Sequence, residues 1–168
     1  DSPAIYWRLG ESSGDATDHS GNGRSGTAVG GSRGVSGLLT GDSDLAFGFP
    51  GYVYRGNEPW MNSLSGWSIE LIGTVTNPGG TSGGMVAGWL NGGTARYGFY
   101  RYAGRLYLAP AGEQEFYDVA GMWDRSHWVM TATTGRWRLY RNGSLVKDVA
   151  FTYSAPPDGS TFSCGALY

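Results

Sequence analysis

One cysteine occurs in the 168 residues, so no disulfide can close within the chain. Cys164 sits in a late apolar run with no histidine nearby to lower a thiol pKa, and it reads as a small hydrophobe on a strand. His19 and His127 are the two histidines, which leaves little material for a nucleophile–base pair. Lysine occurs once, as Lys147, against eleven arginines, a bias that a GC-rich genome explains at every position at once. The formal net charge is −2 and no basic stripe occurs, which argues against nucleic acid as a partner. No apolar run approaches the roughly 20 residues of a membrane-spanning helix, so no membrane insertion is expected. The first residues lack the charged and apolar regions of a secretory signal. No window sustains a helical period, which excludes a helical bundle.

What is present is glycine and aromatic side chains. The 30 glycines and 14% aromatics are spread along the whole chain, as expected of many short strands joined by tight turns in one domain over residues 1–168. Ala4–Leu9 alternates, with Ile5, Trp7 and Leu9 on one face. Residues 10–44 read as a long loop with one short strand near Gly26–Val29. Ala46–Phe49 and Tyr52–Tyr54 read as two strands around a Pro50-Gly51 turn. Trp67–Ile72 is the best candidate for a central strand, with Trp67, Ile69 and Leu71 inward and Glu70 and Ile72 on the other side. Residues 77–84 read as a loop. Met85–Leu90, Tyr97–Tyr102 and Arg105–Ala109 follow as strands, the last two joined at Ala103-Gly104. His127–Thr133 alternates again. Asn142-Gly143 is the strongest hairpin signal, because a type I′ turn needs positive φ at both central positions. Phe162–Leu167 starts a final strand. About ten strands at this spacing predict a sandwich.

Three motifs match catalytic or modification patterns by letter and fail on context. Gly21–Gly26 spells G-x-G-x-x-G, but no strand precedes it and no helix can start after it. Gly30–Gly34 spells G-x-S-x-G without the strand-to-helix flanks of a nucleophile elbow. Asn142-Gly143-Ser144 is a formal sequon, and the hairpin accounts for it without sugar. A glycosidase needs two carboxyl groups across the scissile bond. The Trp67–Ile72 strand offers only Glu70, and Glu113-Gln114-Glu115 reads as a solvated turn.

The aromatic excess carries the binding expectation. Tyr97, Tyr100, Tyr102 and Tyr107, with Trp60, Trp89 and Trp137, exceed what alternation assigns to one core. Tyr100 and Tyr102 fall on the face opposite Phe99, beside Arg101 and Arg105, where they would suit flat contact with sugar rings or a protein. Tyr100, Tyr102, Glu70, Arg101 and Trp89 are therefore the candidate ligand-binding residues. Asp18-His19-Ser20-Gly21-Asn22-Gly23 is rich in oxygen donors without being an EF-hand loop. Asp18 and Asn22 are the candidate Ca²⁺ ligands, with Asp42 and Asp44 behind them, and an Asx-turn is the alternative.

Several segments together resemble the laminin-G-like jelly-roll domains of the concanavalin A-like lectin/glucanase superfamily. Tyr6-Trp7-Arg8-Leu9-Gly10-Glu11, followed by Asp18–Gly23, resembles the opening strand and loop of that family. Trp67-Ser68-Ile69-Glu70-Leu71 resembles its F-T-I-E-A-W strand, Ser126–Ala132 its W-x-H-V-A-x-T strand, and Leu139–Val146 its L-Y-v-[DN]-G hairpin. Ser2–Glu11 is also similar to domains in minor tail proteins of phages infecting actinobacteria, and the arginine bias agrees with such a genome.

The resemblance implies an all-β, two-sheet antiparallel jelly-roll sandwich. It implies a non-catalytic module of a virion tail or another extracellular assembly. The implied partners are a host-surface glycan or other tail protein chains, with a homo-oligomer as one form. A structural or oligomerisation domain is the alternative, and a glycan hydrolase resting on Glu70 is a third. Family members continue past Phe162–Ala166 with a closing G-x-I-D-E-V strand that often carries a calcium ligand. Its absence here reads as a segment of a longer polypeptide, or as a gap filled by another chain.

Overall fold

A computed structural model describes residues 2–41, 43–74, 84–91, 95–102, 105–109, 115–117 and 124–165. The first half supplies β1 (Thr27–Ser36), β2 (Leu45–Arg55), a turn of 3-10 helix (Pro59–Ser63), β3 (Gly66–Gly73) and β4 (Gly84–Asn91). The second supplies β5 (Ala95–Tyr102), β6 (Arg105–Ala109), β7 (Glu115–Tyr117) and β8 (Ser126–Thr133). It ends with β9 (Gly135–Arg141), β10 (Ser144–Phe151) and β11 (Thr161–Cys164). Among the described residues these form two antiparallel sheets, in the orders β1-β2-β11-β4-β5-β6-β7 and β10-β9-β8-β3.

The apolar members of each alternating run face one interior. Trp67 and Ile69 of β3, Trp128, Met130 and Ala132 of β8, and Trp137 and Leu139 of β9 come from the smaller sheet. They meet Ala87 and Trp89 of β4, Tyr97 and Phe99 of β5, and Leu108 of β6 in a single buried cluster. Ring pairs Trp67–Trp89 (centroids 5.5 Å apart) and Phe99–Trp128 (6.5 Å) join the sheets. Burying each such side chain contributes about 1.5–3 kcal/mol, so the paired inner faces hold the fold. The architecture is the expected all-β, two-sheet antiparallel sandwich.

Regular alternation gives regular pairing. β3 and β8 stay in unbroken register from Gly66↔Thr133 to Gly73↔Ser126. The β9–β10 turn has φ of 48° at Asn142 and 80° at Gly143, the two positive values that the sequence required.

Elsewhere the structure corrects the expectation. Among the described residues β3 is an edge strand, since alternation reports which face is buried and not how many neighbours a strand has. β2 is one continuous strand through Pro50, with no turn there. Proline is tolerated because the β1 register shifts between Gly30 and Ser32, next to Gly51, while β11 pairs only with Val53–Arg55. β1 extends to Ser36 through glycines at positive φ, which accommodate its register shifts. Ile5 and Trp7 are more buried than their neighbours, as alternation predicts, and Leu9 and Gly10 are both half-buried. The segment makes one bridge, Trp7↔Asp18, and Leu9 has φ of 61°, so no strand forms. Glu115, read as part of a turn, opens β7 opposite Leu108. The last strand is Thr161–Cys164. The Ala103-Gly104 turn, residues 75–83, Glu113, Gln114 and residues 166–168 lie outside the described residues.

Candidate functional site

Pro59 confines Glu58 to extended backbone (φ −132°, ψ 144°) just before the 3-10 turn. That directs its carboxylate back toward the end of β2. It accepts hydrogen bonds from the Arg55 guanidinium and the Trp60 Nε1–H, and Arg24 Nε lies 3.4 Å away. The Arg24 guanidinium in turn stacks over the Trp60 ring at 4.2 Å. Arg55 also donates to the Ser25 carbonyl at 2.8 Å, tying β2 to the segment that leads into β1. Asn57 Nδ2 donates to Asp158 Oδ1 (2.8 Å) and Asn91 Nδ2 to the Asp158 carbonyl (2.6 Å), which fixes the 157–159 turn alongside.

These constraints hold open a cleft of about 300 Å³ lined by Ser25, Thr27, Tyr54, Arg55, Asn57 and Glu58. That is the lower end of the roughly 300–1,000 Å³ range of ligand pockets. It offers the hydroxyls of Ser25, Thr27 and Tyr54, an amide, a guanidinium, a carboxylate and one aromatic ring. Desolvation pushes the Glu58 carboxyl upward, but the Trp60 N–H and the Arg55 and Arg24 charges outweigh it and hold it below the usual carboxylate range.

A second depression, about 360 Å³, lies among Leu38, Leu39, Ile72, Arg125, His127 and Asn142. Next to it His127 Nε2 and Glu70 Oε1 are 2.7 Å apart on the outer face of the smaller sheet.

The structure does not gather the expected ligand residues into one site. Trp89 is 4% exposed and belongs to the core, as do Tyr97 and Trp137, so the interior absorbs aromatics that looked surplus. Tyr100 is 3% exposed, packed against Tyr52 and stacked on Tyr107 at 4.9 Å, and so presents no free ring. Glu70 stands on β3 of the smaller sheet and Tyr100 on β5 of the larger, on opposite outer faces of the sandwich. Arg101 and Tyr102 continue β5, with side chains outside the described residues.

Asp18 and Asn22 both bond within the N-terminal loop. Asp18 Oδ1 accepts the N–H groups of Tyr6 and Ser20, both at 3.0 Å. Oδ2 accepts the Arg24 N–H at 2.7 Å and the Ser20 hydroxyl at 2.8 Å. Asn22 Nδ2 donates to the carbonyls of Pro3 (3.1 Å) and Ala4 (3.3 Å). Asp44 pairs with Arg8, and Asp42 lies outside the described residues. Among the described residues no group of three or more His, Cys, Asp or Glu is placed to hold a metal. The G-x-G-x-x-G run leads into β1, and the G-x-S-x-G run lies inside it, so neither opens a helix.

Sequence reasoning missed the cleft because its walls come from segments far apart in the chain. The available signal was the dense run Arg55-Gly56-Asn57-Glu58-Pro59-Trp60 at a strand end, where polar, aromatic and turn-forming residues coincide. No protein-family model, curated protein or solved structure matches the chain.

Proposed function

We propose that this domain is a non-catalytic recognition module of the laminin-G-like, concanavalin A-like jelly-roll type. It binds host cell-surface carbohydrate as part of a virion tail or another extracellular assembly. The observation that carries the reading is the cleft beside Tyr54. A ring face next to the Ser25 and Thr27 hydroxyls and the Asn57 amide matches a sugar's apolar face and its hydroxyl rim.

The carboxylates support recognition over hydrolysis. A glycosidase acid must hold a proton at working pH, which calls for a raised pKa. Glu58 is shifted the other way and is committed to two arginines and an indole. Glu70 stands on the other sheet, paired with His127.

The test is an array of mono- to hexasaccharides of glucose, galactose, mannose, rhamnose and N-acetylglucosamine, probed with the wild type, Tyr54→Ala and Asn57→Ala. Retention of at least one series, weakened about tenfold in each variant while it stays folded, is the expected result. Retention of none by the assembled protein sinks the reading. Release of reducing ends by the wild type, lost in Glu70→Gln, replaces it with a hydrolase.

A structural or oligomerisation role is the second reading. Leu39, Ile72 and Leu145 are exposed, and Leu145 shares an outer row with Tyr140, Val129 and Glu70. Under that reading sedimentation shows an oligomer that Leu145→Glu dissociates, with glycan binding absent.

A further inference from the structure

The cleft opens onto one face of the β1–β2 ribbon. Antiparallel partners share a face, and residues two apart on a strand do too. Thr27↔Tyr54 and Val29↔Tyr52 are such partners, so these four side chains form one strip, of which Thr27 and Tyr54 also line the cleft. Buried Val53 points into the sandwich between the two tyrosines, which sets the strip on the outer side. β1 is the edge of the larger sheet among the described residues, so the strip runs out to an open margin. The Tyr52 and Tyr54 ring centroids lie 5.8 Å apart with their planes at 43°, and Val29 beside them is 39% exposed.

The strip has a definite chemistry. It carries no formal charge: two phenols, a hydroxyl and a small apolar group. On the same face Ser163 of β11 stands directly opposite Tyr54 and is 3% exposed, so the inner margin of the strip is closed by packing and its open margin is at β1.

We infer that the strip is a second binding surface continuous with the cleft, and that the ligand is an uncharged polysaccharide chain. One end sits in the cleft and the following units lie along Tyr54, Tyr52 and Val29. This rests on the carbohydrate reading above and adds to it a chain-length requirement and a direction along β1–β2.

The same array separates the two claims, read with titrations of the retained series in solution. The inference expects hexasaccharide to bind at least about tenfold more tightly than monosaccharide of the same sugar. Val29→Glu, on an exposed position, should abolish most of that gain and leave monosaccharide affinity unchanged, at wild-type thermal stability. Tyr52→Ala should do the same, and Val29→Glu keeps the test meaningful if loss of the Tyr52–Tyr100 contact unfolds that variant. Equal affinity for all lengths overturns the inference while the carbohydrate reading stands. A length gain that survives Val29→Glu also overturns it. A dimer that Val29→Glu dissociates assigns the strip to a second copy and overturns it. No binding at any length removes both claims.

Discussion

At the scale of single residues, Asp18 sets the course of the chain between Tyr6 and Arg24. Desolvation raises its pKa, but the N–H groups of Arg24, Tyr6 and Ser20 and the Ser20 hydroxyl outweigh it and leave the carboxyl far below the usual range. The unfolded value is about 3.9, so the stabilisation is fully present above that pH and is lost as pH falls through the folded value. Asp18→Ala should therefore lower unfolding stability at pH 7 by about 2–4 kcal/mol in urea titrations, the scale of hydrogen bonds to a charged group. The gap between variant and wild type should narrow steadily below pH 4. A constant gap would mean that Asp18 acts by packing and not by charge. Gly26 makes a complementary case. A Cβ there would sit 2.5 Å from the Trp7 ring and 2.6 Å from Val53 Cγ1. Gly26→Ala should cost about 1–3 kcal/mol by overpacking, with a correspondingly lower melting temperature. The last glycine of the apparent nucleotide fingerprint is thus explained by the Trp7 side chain lying against it.

At the scale of elements, the β9–β10 hairpin shows what short-range sequence can specify. Asn142 takes positive φ, its Oδ1 accepts the His127 N–H at 2.9 Å, and its own N–H donates to the His127 carbonyl at 2.8 Å. Asn142→Gly keeps the backbone freedom and loses the side-chain bond, while Asn142→Ala loses both. The expected costs are about 1 kcal/mol for glycine and about 2 kcal/mol for alanine, read from chemical denaturation. Equal costs would show that the turn conformation contributes nothing. β3, β8, β9 and β10 were legible for the same reason: their information is local, in alternation and one turn dipeptide. Only the start of β1, near Gly26–Val29, was legible, because Gly30, Gly31 and Gly34 erase the apolar pattern of the rest while allowing the bulges that let it pair. β2 was split in two because Pro50 reads as a turn unless its neighbour's register is known. The cleft was illegible for a related reason. Bonds such as Asn57–Asp158 and Arg55–Ser25 join residues that no local window contains. Trp89 lies in the core because alternation cannot say how much aromatic volume the space between two sheets will take, and Tyr100, on the outer face where alternation puts it, is covered by Tyr52 and Tyr107.

At the scale of the whole molecule, the position of Cys164 within the larger sheet ties the stability of the sandwich to alkaline pH. The residue lies on β11, with β2 on one side and β4 on the other, in the interior of the larger sheet. Desolvation pushes its thiol up to about 11. A free thiol titrates near 8.5, so the unfolded chain gives up this proton first as pH rises. The contribution of Cys164 is fully present below about pH 8.5 and is lost as pH climbs toward the folded value, with a slope approaching 1.4 kcal/mol per pH unit at about the midpoint of that interval. Tyr153 is shifted upward as well, by desolvation and then by Tyr97, and acts in the same sense at higher pH. The effect of Cys164 is isolated by the difference between wild type and Cys164→Ala. The variant should be less stable at pH 7 by the small amount that losing one sulfur from a strand implies, and the wild-type curve should fall through the variant's between pH 9 and 11, because the loss over that interval exceeds the initial gap. Thiol labelling at pH 8 gives an independent check, because the raised pKa leaves little thiolate and the half-buried sulfur should react well below the rate of a free thiol. Labelling at the rate of a free thiol, together with parallel stability curves, would show that the sulfur is not desolvated in the folded protein.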